Sequence, residues 1–221
     1  PYTPLTFCTI VGRNVGKYFD IIRKTPIHEW HIENKAEFEN VGQWKRAWYY
    51  PQNGENMHEA VQRESKAARD SAGILDASTL GKIDIQGTDA SEFLNRVYTN
   101  AWSKLEIGKC RYGLMLNEDG MVYDDGVTTR LDENHYIMTT TTGGAATVLG
   151  KLEDYLQTEW PELEVYLTSV TDHFATVSIC GPNSKKTLTK IVPELDLSDE
   201  NFPHMSFKNA KIGKINCRII E

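Results

Sequence analysis

The chain has 221 residues, 40% hydrophobic and 25% charged, an ordinary globular composition that can bury a core of one large or two small domains. A net charge of -7 and a pI near 5.4 argue against a nucleic-acid or anionic-membrane partner, because either needs a basic field to offset phosphate repulsion. No stretch approaches the roughly 18 apolar residues of a membrane helix and no basic-then-apolar leader opens the chain, so a soluble, cytoplasmic protein is expected.

Residues Pro1 to about Asn56 carry Pro4, Pro26, Pro51 and the aromatic group Trp44, Trp48, Tyr49 and Tyr50, with little sustained periodicity. They read as an irregular arm or linker, residues 1–56, held down by burying its aromatics against the body or a partner. Within it, His28 and His31 stand three apart and could face one metal ion only on a helix. No third ligand is evident, so no metal site is expected.

From Glu55 to Ala72 helix formers run unbroken to Gly73, which predicts a helix. Lys82 to Gln86 alternates like a strand, and Thr88 or Asp89 can cap a helix over SEFLNRVYT. CRYGLMLN, MVYDDGVTTRL and HYIMTTTT then form three strand-like runs, separated by the turn chemistries Asn117 to Gly120 and Asp132 to Asn134. That is an antiparallel meander. Gly143 and Gly144 lead into a helix with Val148, Leu149, Leu152 and Leu156 on one stripe. Strands are expected again at VYLTSVT and ATVSICG, then Asn183 or Ser184 capping SKKTLTKIV, and a last strand in KIGKINCRII. The order is that of an α+β fold, an antiparallel sheet with packed helices.

Four cysteines, Cys8, Cys110, Cys180 and Cys217, lie far apart without a CxxC pair, which suggests isolated reduced thiols. GxSxG, GxGxxG and GxxxxGK[ST] are absent, so neither a hydrolase elbow nor a nucleotide fingerprint is present in this chain. The run Thr139 to Gly144 offers hydroxyls and backbone amides at a helix start, a plain strand end and cap that could also hold a polar ligand.

Asp124 and Asp125 are adjacent in a strand, so their side chains point to opposite faces, with Val122 sharing the parity of Asp124 and Tyr123 that of Asp125. A carboxylate on a largely apolar face is desolvated and becomes a better proton acceptor for a weakly acidic N–H. The alternative is an edge-strand aspartate bonding a nearby backbone amide.

These segments carry a resemblance. TPIHEWH, VGQWKRAWYYP, GILDASTLGKIDIQG, the block Glu92 to Leu131, MTTTTGGAA and LQTEWPELEVYLTSVT resemble successive blocks of the C-terminal half of the heterotetrameric sarcosine oxidase alpha subunits. That half is related to the aminomethyltransferases of glycine cleavage, whose shared pattern is the Asn-x-x-Gly-x-x-x-Asp-Asp of Asn117 to Asp125.

The resemblance implies a folate-binding, aminomethyltransferase-like fold over residues 57–221, and oxidation of sarcosine with transfer of the one-carbon unit to tetrahydrofolate. The products are then 5,10-methylenetetrahydrofolate, glycine and hydrogen peroxide. It implies beta, gamma and delta subunits as partners, with FAD, FMN and NAD held outside this chain.

It also places four residues at the folate: Asp124 facing N10 as proton acceptor, Tyr112 beside the ligand, Leu80 where the aminomethyltransferases often have methionine, and Thr141 where they have asparagine. Asp125 then points away. Pro1 and the strand-like end at Glu221 suggest a piece of a longer protein, and the family's further glutamate, expected to clamp the pterin, lies past Glu221. The competing classes are a stand-alone aminomethyltransferase and a non-catalytic folate-binding module.

Overall fold

The structure is a computed structural model that describes residues 4–12, 16 and 20–221. A short helix, α1 (Phe7–Val11), is capped by Thr6, and the rest of the first 56 residues is more regular than the sequence suggests. β1 (Arg23–Lys24), β2 (Glu37–Val41) and β3 (Trp44–Tyr49) form a three-stranded sheet in the order β1-β3-β2, with α2 (His28–Glu33) between the first two strands. The expectation of an irregular arm is corrected here. The β2–β3 turn at Val41 to Trp44 is short, and a β-bulge between Glu37 and Phe38 blurs the alternation that would have announced the strands.

This small sheet is tied to the body by a buried network. The two ring nitrogens of His31 bond the Tyr50 hydroxyl at 2.6 Å and the Asp76 carboxylate at 2.8 Å, and Asp76 also accepts the Ser78 backbone N–H. His28 instead packs its ring on Phe38, centroids 4.7 Å apart, so the two histidines do not converge on a common ligand.

α3 (Met57–Asp70) begins with a complete capping box between Asn56 and Glu59, in which each side chain takes the other's backbone N–H. β4 (Gly73–Asp76) then pairs with the much later β10 (Val177–Cys180) as a two-stranded ribbon. The central element is a five-stranded antiparallel sheet in the order β6-β7-β8-β5-β9, built from β5 (Gly81–Gln86), β6 (Cys110–Leu116), β7 (Val122–Asp132), β8 (His135–Thr140) and β9 (Tyr166–Ser169). The expected α+β fold and its meander are present.

One face of the sheet carries the core. Ile83, Ile85, Met115, Tyr136 and Met138 pack under α4 (Ala90–Val97) and α5 (Ala145–Asp154), which contribute Phe93, Leu94, Val148 and Leu152. Each of these apolar side chains contributes about 1.5–3 kcal/mol by leaving water. The Leu149 and Leu156 of the expected stripe flank this core partly buried. α5 can lie this close because Gly81 has no side chain: a Cβ there would meet Thr140 Oγ1 and the Ala145 methyl.

Asp89 stands at the N-cap of α4 but does not cap it; its carboxylate accepts the Glu164 N–H and so ties the helix start to the segment before β9. α6 (Ser184–Ile191) follows Asn183, and the chain closes in a hairpin of β11 (Phe207–Ile212) and β12 (Ile215–Ile220). The single last strand expected over Lys211 to Ile220 is therefore two, because Gly213 and Lys214 turn the chain. Leu188, Val192, Leu197, Phe202 and Ile219 form a second small core beneath this hairpin.

Candidate functional site

The other face of the five-stranded sheet is left open by the helices. β6, β7, β8 and β5 present Tyr112, Val127, Thr139 and Lys82 there as one row: Tyr112 pairs with Val127, Lys82 pairs with Thr139, and Val127 and Thr139 are joined through the threonine hydroxyl. Strand alternation sets which side each residue takes. In front of this row lies an open cleft of about 980 Å³, bounded by the sheet, residues 173–177 and the β11–β12 hairpin. Its floor is apolar or weakly polar, from Val127, Thr129, Ile137 and Thr139.

The neighbouring row holds the sharper chemistry. Leu114 pairs with Asp125, which puts Asp125 two residues along from Val127 on the cleft face. Asp125 Oδ2 accepts the Tyr112 hydroxyl at 2.6 Å. This bond raises the Tyr112 phenol above its ordinary pKa, because ionising it would give up the bond and set a phenolate beside a carboxylate. Tyr112 is 47% exposed, so the pair sits in reach of a ligand. Among the described residues, Asp125 Oδ1 has no hydrogen-bond donor.

Asp124 faces the opposite way. It pairs with Met115 on the core face, is 5% exposed, and both of its oxygens lie 3.3 Å from the Thr141 backbone N–H, beside the start of α5. An anion near a helix N-terminus and a backbone amide is stabilised where it is. Asp124 and Tyr112 lie on opposite faces of the sheet, and Asp125 bonds Tyr112.

A β-bulge explains why parity misleads upstream. The register steps from Met115↔Asp124 to Leu116↔Val122, so Tyr123 is an extra residue. Val122 is thrown out to solvent at 58% exposed, while Tyr123 packs against the core and reaches the Thr147 carbonyl. Val122 therefore does not share the side of Asp124.

Leu80 and Thr141 stand next to Gly81 and Thr140, the last pair of the β5–β8 ladder, both of which face the core. The Thr141 hydroxyl accepts the Gly144 N–H at 3.1 Å and so ends the strand and starts α5. Tyr112 and Asp125 are thus brought together on the open face, while the Thr141 hydroxyl stands with Asp124 at the start of α5. No helix of the described residues is long and apolar enough to cross a membrane, and they contain no group of three or more potential metal ligands.

The GCVT N-terminal domain family matches residues 27–221. The chain is 56% identical over 220 residues to a sarcosine oxidase subunit alpha of Corynebacterium sp. (strain U-96), covering 99% of this chain and 23% of that one. It is 48% identical over 212 residues to a sarcosine oxidase subunit alpha of Rhizobium meliloti, covering 96% of this chain and 21% of that one. An aminomethyltransferase of Thermotoga neapolitana is 28% identical over 191 residues, with 86% of this chain and 48% of the relative covered. The chain thus spans less than a quarter of the oxidase subunits it matches. In fold, it superposes on the crystal structure of the glycine cleavage system aminomethyltransferase T of Bartonella henselae with a TM-score of 0.71 at 24% identity, over 87% of this chain and 48% of that chain.

Proposed function

Because the chain belongs to the GCVT N-terminal domain family, we propose that it is the folate-binding, one-carbon-transferring portion of a sarcosine oxidase alpha subunit. In the assembled enzyme sarcosine is oxidised elsewhere, with FAD, FMN and NAD held outside this chain and beta, gamma and delta subunits as partners. The one-carbon unit is passed here to tetrahydrofolate, giving 5,10-methylenetetrahydrofolate beside glycine and hydrogen peroxide.

The single observation that carries the reading to residues is the Tyr112–Asp125 pair on the same open sheet face as Val127. A flat sheet face with apolar Val127 and Ile137 and a polar, hydrogen-bonded edge fits a planar heteroaromatic ligand with N–H groups on its rim. Bound tetrahydrofolate supplies the amine nitrogens that capture the one-carbon unit. Asp125 Oδ1 accepts a proton from such an amine, while Tyr112 holds Oδ2 and fixes the plane of the carboxylate. Leu80 and Thr141 flank the ligand, and Asp124 positions Thr141 and the start of α5 from behind the sheet.

The test is made in the complete oxidase. With Asp125→Ala, sarcosine-driven peroxide formation continues near the wild-type rate, whereas 5,10-methylenetetrahydrofolate formation falls by roughly 10²–10⁴-fold and free formaldehyde rises, the usual scale for losing a positioned base. Wild-type formation of the folate product in this variant refutes the assignment of Asp125. A result in which Asp124→Asn alone abolishes it returns the role to Asp124.

A stand-alone aminomethyltransferase is the second reading, favoured only by the 28% identity to the Thermotoga neapolitana protein, whose length the chain half covers. The higher identity to the oxidase subunits outweighs it.

A further inference from the structure

Asn53 and Gly54 occupy the two central positions of the turn that leads from β3 and Tyr50 to α3. Both have positive φ, 50° and 79°, and the Glu55 N–H donates to the Gln52 carbonyl at 2.9 Å, the pattern of a type I′ turn. The ends of the turn are held. The Gln52 N–H donates to Glu55 Oε2 at 3.0 Å, and Arg63 donates to the same carboxylate and to the Tyr50 carbonyl. The centre of the turn has no such ties. Among the described residues, neither the Asn53 carboxamide nor the Gly54 N–H enters a hydrogen bond, and both residues are exposed. Nothing lies within 4 Å of where a Gly54 side chain would begin.

This arrangement favours a reaction of the chain with itself. The Gly54 nitrogen and the Asn53 Cγ belong to neighbouring residues, so their encounter is intramolecular and needs only a local rotation. A side chain on the following residue crowds that approach, and glycine has none. Asn53 is the one asparagine in the sequence followed by glycine. The two Asp–Gly pairs can close the same ring by losing water, but both are restrained. Asp119 accepts the Met121 N–H while the Gly120 N–H is bonded to the Asn117 carbonyl. Asp125 is bonded by Tyr112, with Gly126 inside the β6–β7 ladder.

We propose that Asn53 is a covalent modification site, where the side chain deamidates spontaneously in the folded protein. The Gly54 nitrogen attacks Asn53 Cγ, and the new N–C bond closes a succinimide. The Cγ–Nδ2 bond breaks, and Nδ2 leaves as ammonia, carrying off the Gly54 amide proton. Water then opens the ring. Addition at Cγ gives aspartate, and addition at the main-chain carbonyl gives isoaspartate, whose backbone runs through the side-chain carbons. Water is the only co-reactant. Either product adds one negative charge beside Glu55.

The intact protein is incubated at physiological temperature in mildly alkaline buffer, its peptides are mapped by mass spectrometry over time, and isoaspartate is read by enzymatic methylation. The Asn53 peptide is expected to lose most of its amide, with isoaspartate among the products, before any other asparagine loses a measurable share. Gly54→Ala, which sets a methyl beside the attacking nitrogen, slows the conversion to the rate of the other asparagines.

Conversion of another asparagine ahead of Asn53 overturns the proposal, as does an Asn53 peptide that keeps its amide throughout. Equal rates in Gly54→Ala and wild type overturn it too. Should Gly54→Ala not fold, the order of conversion in the wild-type protein decides.

Discussion

Tyr112 donates its phenol O–H to Asp125 across the β6–β7 ladder at 2.6 Å, while Asp124, the preceding residue in the chain, is turned to the core face beside Thr141. Two adjacent carboxylates are thereby given different work by strand alternation alone. Asp125 faces the cleft, and Asp124 holds the backbone that shapes it.

The Tyr112 titration follows from that bond. The phenol ionises above the ordinary tyrosine value because Asp125 accepts its proton. In Asp125→Asn the carboxylate charge is gone, so the Tyr112 pKa should fall back toward the ordinary range of about 10. Site-specific isotope labelling of Tyr112 and an NMR pH titration read it directly. An unchanged midpoint in Asp125→Asn shows that the bond does not form in solution.

Asp124 should be a stability residue. Asp124→Ala leaves the Thr141 N–H without its acceptor at the start of α5, which costs about 1–3 kcal/mol in urea unfolding. Gly144→Ala should loosen the same corner, since its Cβ would fall 2.7 Å from Thr141 Oγ1 and 3.2 Å from both Asp124 oxygens. Because the two changes act on one cluster, the double variant should lose less than the sum of the singles. Full additivity would show that the sites are independent.

The Tyr50–His31–Asp76 network predicts a pH dependence. Burial alone would raise the Asp76 pKa, but hydrogen bonds from Ser78 and His31 outweigh it, and the value is lowered. A carboxylate depressed in the folded state contributes stability above its unfolded pKa of about 3.9, and this is lost as pH falls through the folded value. The stability difference between wild type and Asp76→Asn should therefore be flat above about pH 4 and shrink in stronger acid. A difference that instead vanishes near neutral pH would refute the role of Asp76.

The cysteines should separate by reactivity. Cys110 is buried, its thiol raised by burial against the opposing Thr129 hydroxyl bond, whereas Cys8 and Cys180 are exposed. A thiolate is the reactive form, so a disulfide reagent should modify Cys8 and Cys180 first and Cys110 only on unfolding. Peptide mapping of the labelled native protein gives the order, and early labelling of Cys110 would contradict the packing of β6.

Much of the fold is written in local patterns. The Asn56 to Glu59 capping box and the alternation of His135 to Thr140 are readable because their causes lie within a few residues. So are the Asn117 to Gly120 turn and the Val148 and Leu152 stripe. The resemblance in the block Glu92 to Leu131 likewise points to the right family and the right hairpin.

What the chain alone could not decide was which side of the sheet the helices cover and which they leave open. Alternation says that Asp124 and Asp125 part ways, but only the placement of α4 and α5 tells which face is core. The bulge at Tyr123 removes the upstream residues as a guide. The same holds for Lys82, which in KIDIQ looks like an ordinary solvent-facing lysine. Its burial comes from residues around Thr171 and Ser78, and its place in the cleft from the distant β11–β12 hairpin. Local sequence fixes backbone geometry through short-range sterics and hydrogen bonds. Exposure, charge pairing and the making of a cleft depend on contacts between segments far apart in the chain, 149 residues for Arg23 and Asp172, and these the tertiary structure alone decides.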